Sequence, residues 1–118
     1  MTGSLVAATA VGLGGALGAV ARHAIGLAIE SRWSLIVVNT VGSFTLGLVV
    51  AAPVDSVVGL AVGVGFCGAF TTFSSFAVET VTTAEQGDPV VATWFAAVSV
   101  VSAVTGFLAG SGLVLAVS

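Results

Sequence analysis

The side chains able to do chemistry in this chain are few, mostly uncharged, and set at helical spacing. Asn39 is the only asparagine, and Gly42 and Ser43 follow it at i+3 and i+4, which makes one small, polar helix face. Downstream lies the run Gly65-Phe66-Cys67-Gly68-Ala69-Phe70-Thr71-Thr72-Phe73-Ser74-Ser75-Phe76. In helical register Thr72 shares a face with Phe76, and Thr71 with Ser75. Further on, Ser99 and Ser102 stand one turn apart with Gly106 after them. Amide and hydroxyl donors of this kind replace part of the hydration shell of a small anion. A phenyl ring adds a positive edge, which can touch an anion without the fixed charge that would trap it, and conduction needs binding that is real but weak.

The 65–76 run is also built to resist being a plain helix. Gly65 and Gly68 each cost about 1 kcal/mol relative to Ala in a helix interior, and the Thr71 and Thr72 hydroxyls compete for backbone partners. A break near Gly68 is therefore expected. Interrupted backbone at membrane depth survives only where it is buried in protein or lines a hydrated cavity. Carbonyls freed at such a break suit a cation.

The elements that must position these groups are membrane spans. The 118 residues are 58% hydrophobic and 6% charged, where a soluble domain carries roughly a quarter charged residues. Uncharged stretches cover residues 1–21, 33–54, 56–78 and 89–118, each longer than the roughly 18 residues that mark a spanning helix. The expected fold is an all-α membrane protein, a single four-span domain with spans at about 4–29, 33–52, 56–83 and 90–117. The first segment reads as a retained helix, since it lacks a basic n-region and a cleavage-like site. Asp55 can cap the third span, and Pro89 suits the first turn of the fourth. Trp33 and Trp94 fall near span starts, at interfacial depth.

Sixteen glycines are too many for independent lipid-facing helices. Gly14-xxx-Gly18, Gly59-xxx-Gly63 and Gly106-xxx-Gly110 are small-residue faces for close helix packing. Four spans make a thin bundle, and self-association is the natural way to create an interior. Arg22 and Arg32 fall at the same membrane end, so the positive-inside bias is weak and an antiparallel dimer is permitted.

Several functions are disfavoured. Two basic residues and a pI near 4.5 leave no nucleic-acid partner tenable. Asp55 and Glu79 belong near span ends and Glu30, Glu85 and Asp88 to loops, so no acid lies deep in a span, where a proton-coupled exporter wants one. The only histidine, His23, has no evident nucleophile or base to work with, so no enzyme is expected. Cys67 and His23 lie on different segments without ligand spacing. Cys67 reads as a small packing residue.

Taken together, Gly14-Gly15-Ala16-Leu17-Gly18-Ala19-Val20-Ala21-Arg22-His23, then Val38-Asn39-Thr40-Val41-Gly42-Ser43-Phe44, then the 65–76 run resemble the small fluoride channels of the Fluc (CrcB) family along essentially the full chain. The first motif departs from the family in ending on His23 instead of the usual tyrosine. The resemblance implies a dual-topology, antiparallel homodimer of four-helix subunits with two fluoride pores in the cell membrane. It implies pore phenylalanines at Phe73 and Phe76, a pore asparagine at Asn39, and polar positions beside the pore at Thr72 and Ser75. It implies a structural sodium ion at the dimer centre, held by the backbone carbonyls of Gly68 and Thr71, and a vestibule cation at Arg22. By spacing, a pore-lining aromatic of the fourth span falls on Phe95, with Ser99 continuing the polar track. The expected function is passive, fluoride-selective export that relieves fluoride toxicity. The rivals are a proton-coupled exporter of the small multidrug-resistance type and a non-conducting assembly subunit that works beside a paralogue.

Overall fold

The structure is a computed structural model and describes residues 2–118, and of Ser31 the backbone alone. Helix α1 runs Thr2–Ala28 and α2 runs Ser31–Ala51. The third span is composite: α3 (Ser56–Gly59), a π-helical stretch (Leu60–Cys67), α4 (Gly68–Phe70), and then α5 (Phe73–Glu85) after two non-helical residues. Helix α6 runs Pro89–Val117. Among the described residues, four segments are long and apolar enough to cross a membrane, and the shortest, Arg32–Ala51, has 20 residues. At 1.5 Å per residue that is about 30 Å, the thickness of a bilayer's hydrocarbon core. The chain is a multi-pass membrane protein.

The helix ends follow local chemistry. The Asp55 carboxylate accepts the Val57 N–H at 3.2 Å and caps α3. Helix α5 ends in a Schellman motif: Asp88 N–H reaches the Thr83 carbonyl and Gly87 N–H the Ala84 carbonyl, each at 3.2 Å. Gly87 takes the left-handed conformation this needs, with φ of 90°. Trp33 and Trp94 meet edge to face at 5.6 Å at the starts of α2 and α6.

Two glycine-lined seams hold the spans together. In the first, α1 lies against the π-helical stretch. A Cβ on Gly14 would fall on the Ala61 carbonyl, one on Gly18 on the Phe66 carbonyl, and one on Gly65 would sit 2.6 Å from the Val11 carbonyl. Gly14 and Gly18 are the buried residues of α1, so this helix contributes backbone and little side chain to the protomer core. In the second and most extensive seam α2 packs along α6. There a Cβ on Gly106 would lie 2.8 Å from the Thr40 carbonyl, and those on Gly47 and Gly110 would strike the Phe107 and Phe44 carbonyls. Two of the three expected small-residue faces are thus in use. Within the protomer the third meets only ordinary side-chain neighbours, at 3.7 Å or more from Gly59 and Gly63.

The third span changes partner at its break. Before it, the π-helical stretch and α4 pack on α1; after it, α5 packs chiefly on α6. Helix α2 touches both halves. The core sits where these elements converge, with Val38, Cys67, Phe70, Ala92 and Phe95 buried. The radius of gyration is 15.8 Å, against about 13.5 Å for a compact globule of this length. The protomer is elongated and thin.

Candidate functional site

The break falls at Thr71 and Thr72. Gly68 keeps helical angles (φ −61°, ψ −38°), while Thr71 (φ −82°, ψ 161°) and Thr72 (φ −150°, ψ 117°) are extended. The glycine weakens the helix, but the hydroxyls and a distant amide decide where it opens. The Thr71 hydroxyl turns back onto the Cys67 carbonyl at 2.8 Å, which also accepts the Thr71 N–H at 3.0 Å. The Thr72 hydroxyl caps α5 by accepting the Ser75 N–H at 3.1 Å. With both threonines outside a helix, the expected Thr71–Ser75 face does not form.

Asn39 completes the opening from across the bundle. Its Oδ1 accepts the Thr72 N–H at 2.7 Å, and its Nδ2 donates to the Thr72 carbonyl at 3.1 Å. One side-chain amide thereby satisfies both backbone groups of a residue that is only 6% exposed. Two helical bonds are diverted as a result. The N–H that would close on the Gly68 carbonyl, that of Thr72, is taken by Asn39; the N–H that would close on the Thr71 carbonyl, that of Ser75, is taken by the Thr72 hydroxyl. Gly68 is exposed, with no atom within 4 Å of where its Cβ would stand. Backbone carbonyls released from helical pairing are oxygen donors of the hard type that an alkali cation takes, so these two positions fit the sodium that the family resemblance implies.

An open cavity of about 350 Å³ lies beside the break, and its lining includes Asn39, Gly68, Thr71, Thr72, Phe73, Phe76 and Ser99. Seven of the ten site residues expected from sequence are gathered there, and Phe95, Ser75 and Arg22 are not. The phenyl rings form a chain from surface to core: Phe73 is 79% exposed and lies 5.8 Å from Phe76, which lies 5.6 Å from Phe95. Phe95 is fully buried and backs Phe76 from behind, so it does not line the cavity. Ser99 is buried, and its hydroxyl has no partner among the described residues. The hydroxyl is withheld from its own helix, and Ser99 is among the residues that line the cavity. The Asn39 amide likewise keeps one of its two N–H groups uncommitted among the described contacts. No carboxylate stands among the lining residues.

The other two residues lie elsewhere. Ser75 lines a second cleft of about 390 Å³ with Ser34, Leu35, Ser74, Val78 and Glu79. Arg22 is half-buried near the end of α1 and lines neither cavity. The residues that sequence reasoning missed belong to α2 and α5: Arg32 Nε lies 3.4 Å from Glu79 Oε1, and its Nη2 donates to the Thr83 hydroxyl at 3.3 Å. The available signal was charge sign, since Arg32 and Glu79 are opposite charges near the same membrane end.

The model of the family described as CrcB-like protein, Camphor Resistance (CrcB), matches residues 9–111. The chain belongs to the CrcB-like family. The matched CrcB-like region contains every residue of both cavities. Among curated relatives, the fluoride-specific ion channel FluC 2 of Natronomonas pharaonis is 54% identical over 85 residues, covering 71% of this chain and 73% of its own. The fluoride-specific ion channel FluC 1 of Halobacterium salinarum is 40% identical over 122 residues, covering 100% of this chain and 96% of its own. The fluoride-specific ion channel FluC of Idiomarina loihiensis is 47% identical over 88 residues, covering 66% and 68%.

Proposed function

We propose that this chain is a subunit of a fluoride-selective channel of the cell membrane, passively exporting fluoride and so relieving its toxicity, and that it is not an enzyme. The observation that carries the reading is the buried, unpartnered Ser99 hydroxyl on a carboxylate-free cavity that Asn39 and Phe76 also line. A small, strongly hydrated anion needs replacement donors without a trapping charge. Ser99 and the second Asn39 N–H supply donors, Phe73 and Phe76 supply ring edges, and Thr72 keeps its hydroxyl beside them. Ser75 and Arg22 stand outside this cavity, and their place in the reading is on the approach to it. The relatives' names support the choice of fluoride. The absence of a lining acid disfavours the proton-coupled exporter.

The reading includes a second copy. The exposed Phe73 ring and the open side of Gly68 leave one side of the break uncovered in the protomer, and a thin bundle cannot enclose a path alone. An antiparallel homodimer would bring the Gly68 and Thr71 carbonyls of both copies toward one structural sodium ion, which when bound would supply fixed positive charge at the dimer centre. A paralogous subunit fits the same face, and the relatives' names, FluC 1 and FluC 2, support that alternative.

Purified protein in potassium-loaded liposomes tests this directly. With valinomycin present, fluoride efflux should be fast and chloride efflux negligible, and Phe76→Ile should reduce the fluoride flux without dispersing the assembly. Efflux that requires a proton gradient, or that carries chloride equally, refutes passive fluoride conduction.

A further inference from the structure

The antiparallel helices α2 and α5 are joined by polar contacts at two levels. Asn39 meets Thr72 at the break, and Arg32 meets Glu79 toward the membrane end marked by Trp33 and Trp94. The two levels are seven residues apart on each segment, about two helical turns or 10.5 Å along α2. The two contacts therefore obey one register. Arg32 also reaches Thr83, one turn beyond Glu79 on the same face of α5. The second cleft, with Ser34, Ser74, Ser75 and Glu79 in its wall, opens beside this helix pair. Glu79 is its only charged lining residue.

We propose that Arg32 is a positioning residue that neutralises Glu79, and that the second cleft is thereby kept passable to an anion on its way to the break. The inference rests on the conduction reading above and extends it to the mouth of the path. The Arg32–Glu79 contact is Coulombic: among the described residues Nε is buried without an aligned hydrogen-bond acceptor, although Glu79 Oε1 is 3.4 Å away. The guanidinium is held by its second arm, through the hydrogen bond to Thr83, whose side chain sits in the buried part of α5. Without Arg32, Glu79 becomes a bare carboxylate facing an anion path. At about 10 Å and an effective dielectric of about 20 to 40, it would lower the local anion occupancy roughly four- to sixteenfold.

The test is the initial rate of fluoride efflux from liposomes at low ionic strength, with size-exclusion chromatography to verify that each variant keeps its assembly. Arg32→Gln should slow efflux roughly four- to sixteenfold, Arg32→Lys should stay within about twofold of the parent, and Arg32→Gln with Glu79→Gln should recover most of the loss. Raising the ionic strength to 1 M shortens the Debye length to about 3 Å and should also narrow the Arg32→Gln deficit, which a purely mechanical role would not do. The inference is overturned if Arg32→Gln conducts like the parent, or if its deficit persists in the double variant and at high salt. A parent chain without fluoride flux would refute the conduction reading itself, and this inference with it.

Discussion

Replacing Asn39 with Ala removes the amide that holds the break open, and the structure sets the size of the loss. Thr72 is almost wholly buried, and its N–H and carbonyl are both satisfied by Asn39. Leaving a buried backbone group unpaired costs about 1–3 kcal/mol. The Thr72 carbonyl, at the N-cap of α5, keeps its helical partner, so the net expectation is about 1–3 kcal/mol, for the N–H. A side chain that merely links two spans is worth about 0.6 kcal/mol on average. The larger figure applies because Asn39 stands in for a backbone partner that Thr72 has given up. The assay is unfolding in mixed micelles by titration with dodecyl sulfate. Trp33 and Trp94 touch across α2 and α6, so their fluorescence reports separation of that seam. Thr45→Ala is the control, since the Thr45 hydroxyl bonds only its own helix, at the Val41 carbonyl. If Asn39→Ala costs no more than about 0.6 kcal/mol, the amide is ordinary interhelical glue and the account of the break is wrong.

Three further outcomes are expected. Thr72→Val removes the cap that accepts Ser75 N–H and should destabilise α5 by about 1 kcal/mol, while Thr72→Ser stays within a few tenths; equal behaviour of the two in the same titration would remove the capping role. Gly110→Ala drives a methyl into the Phe44 carbonyl and should cost about 1–3 kcal/mol. Gly112→Ala, with open space around it, should cost nothing or stabilise by up to about 1 kcal/mol; loss of assembly in the second variant alone would contradict the α2–α6 seam. Exchanging sodium for a large organic cation on both membrane faces should weaken assembly or fluoride flux, and indifference of both readouts would discard the sodium proposal.

The spans were legible because charge is so scarce that loops and interfaces announce themselves: Asp55, Pro89 and the two tryptophans sit where composition puts them. The region of the break was legible as well, through Gly68 and the two threonines. Its position was not, because the deciding partner is Asn39, 33 residues upstream, and local propensity carries no trace of a hydrogen bond at that separation. The π-helical stretch was invisible for a different reason. Leu60–Cys67 is wholly apolar or glycine, so it has no polar phase from which a turn length could be read. Side-chain direction was the remaining blind spot. Ser75 belongs to α5 but opens on another cleft, and Phe95 turns inward behind Phe76, since helical spacing alone does not say which neighbours surround a face.

The π-helical stretch carries a further meaning when sequence length, not energy, is considered. Its hydrogen bonds close on i→i+5, so it holds more residues per turn than the α-helix on either side. That surplus is slack in the thread between Asp55 and the break. A one-residue deletion between 60 and 67 can be absorbed by conversion to α-helix, with Asn39 still meeting Thr72. The same deletion in α6 turns every residue beyond it by about 100° and takes Gly106 and Gly110 off α2. Within the spans, this stretch is where the chain can change length and still meet itself in register; flux retained by a Val62 deletion and lost by an Ala103 deletion would be its signature, and the reverse would show that the slack is already spoken for.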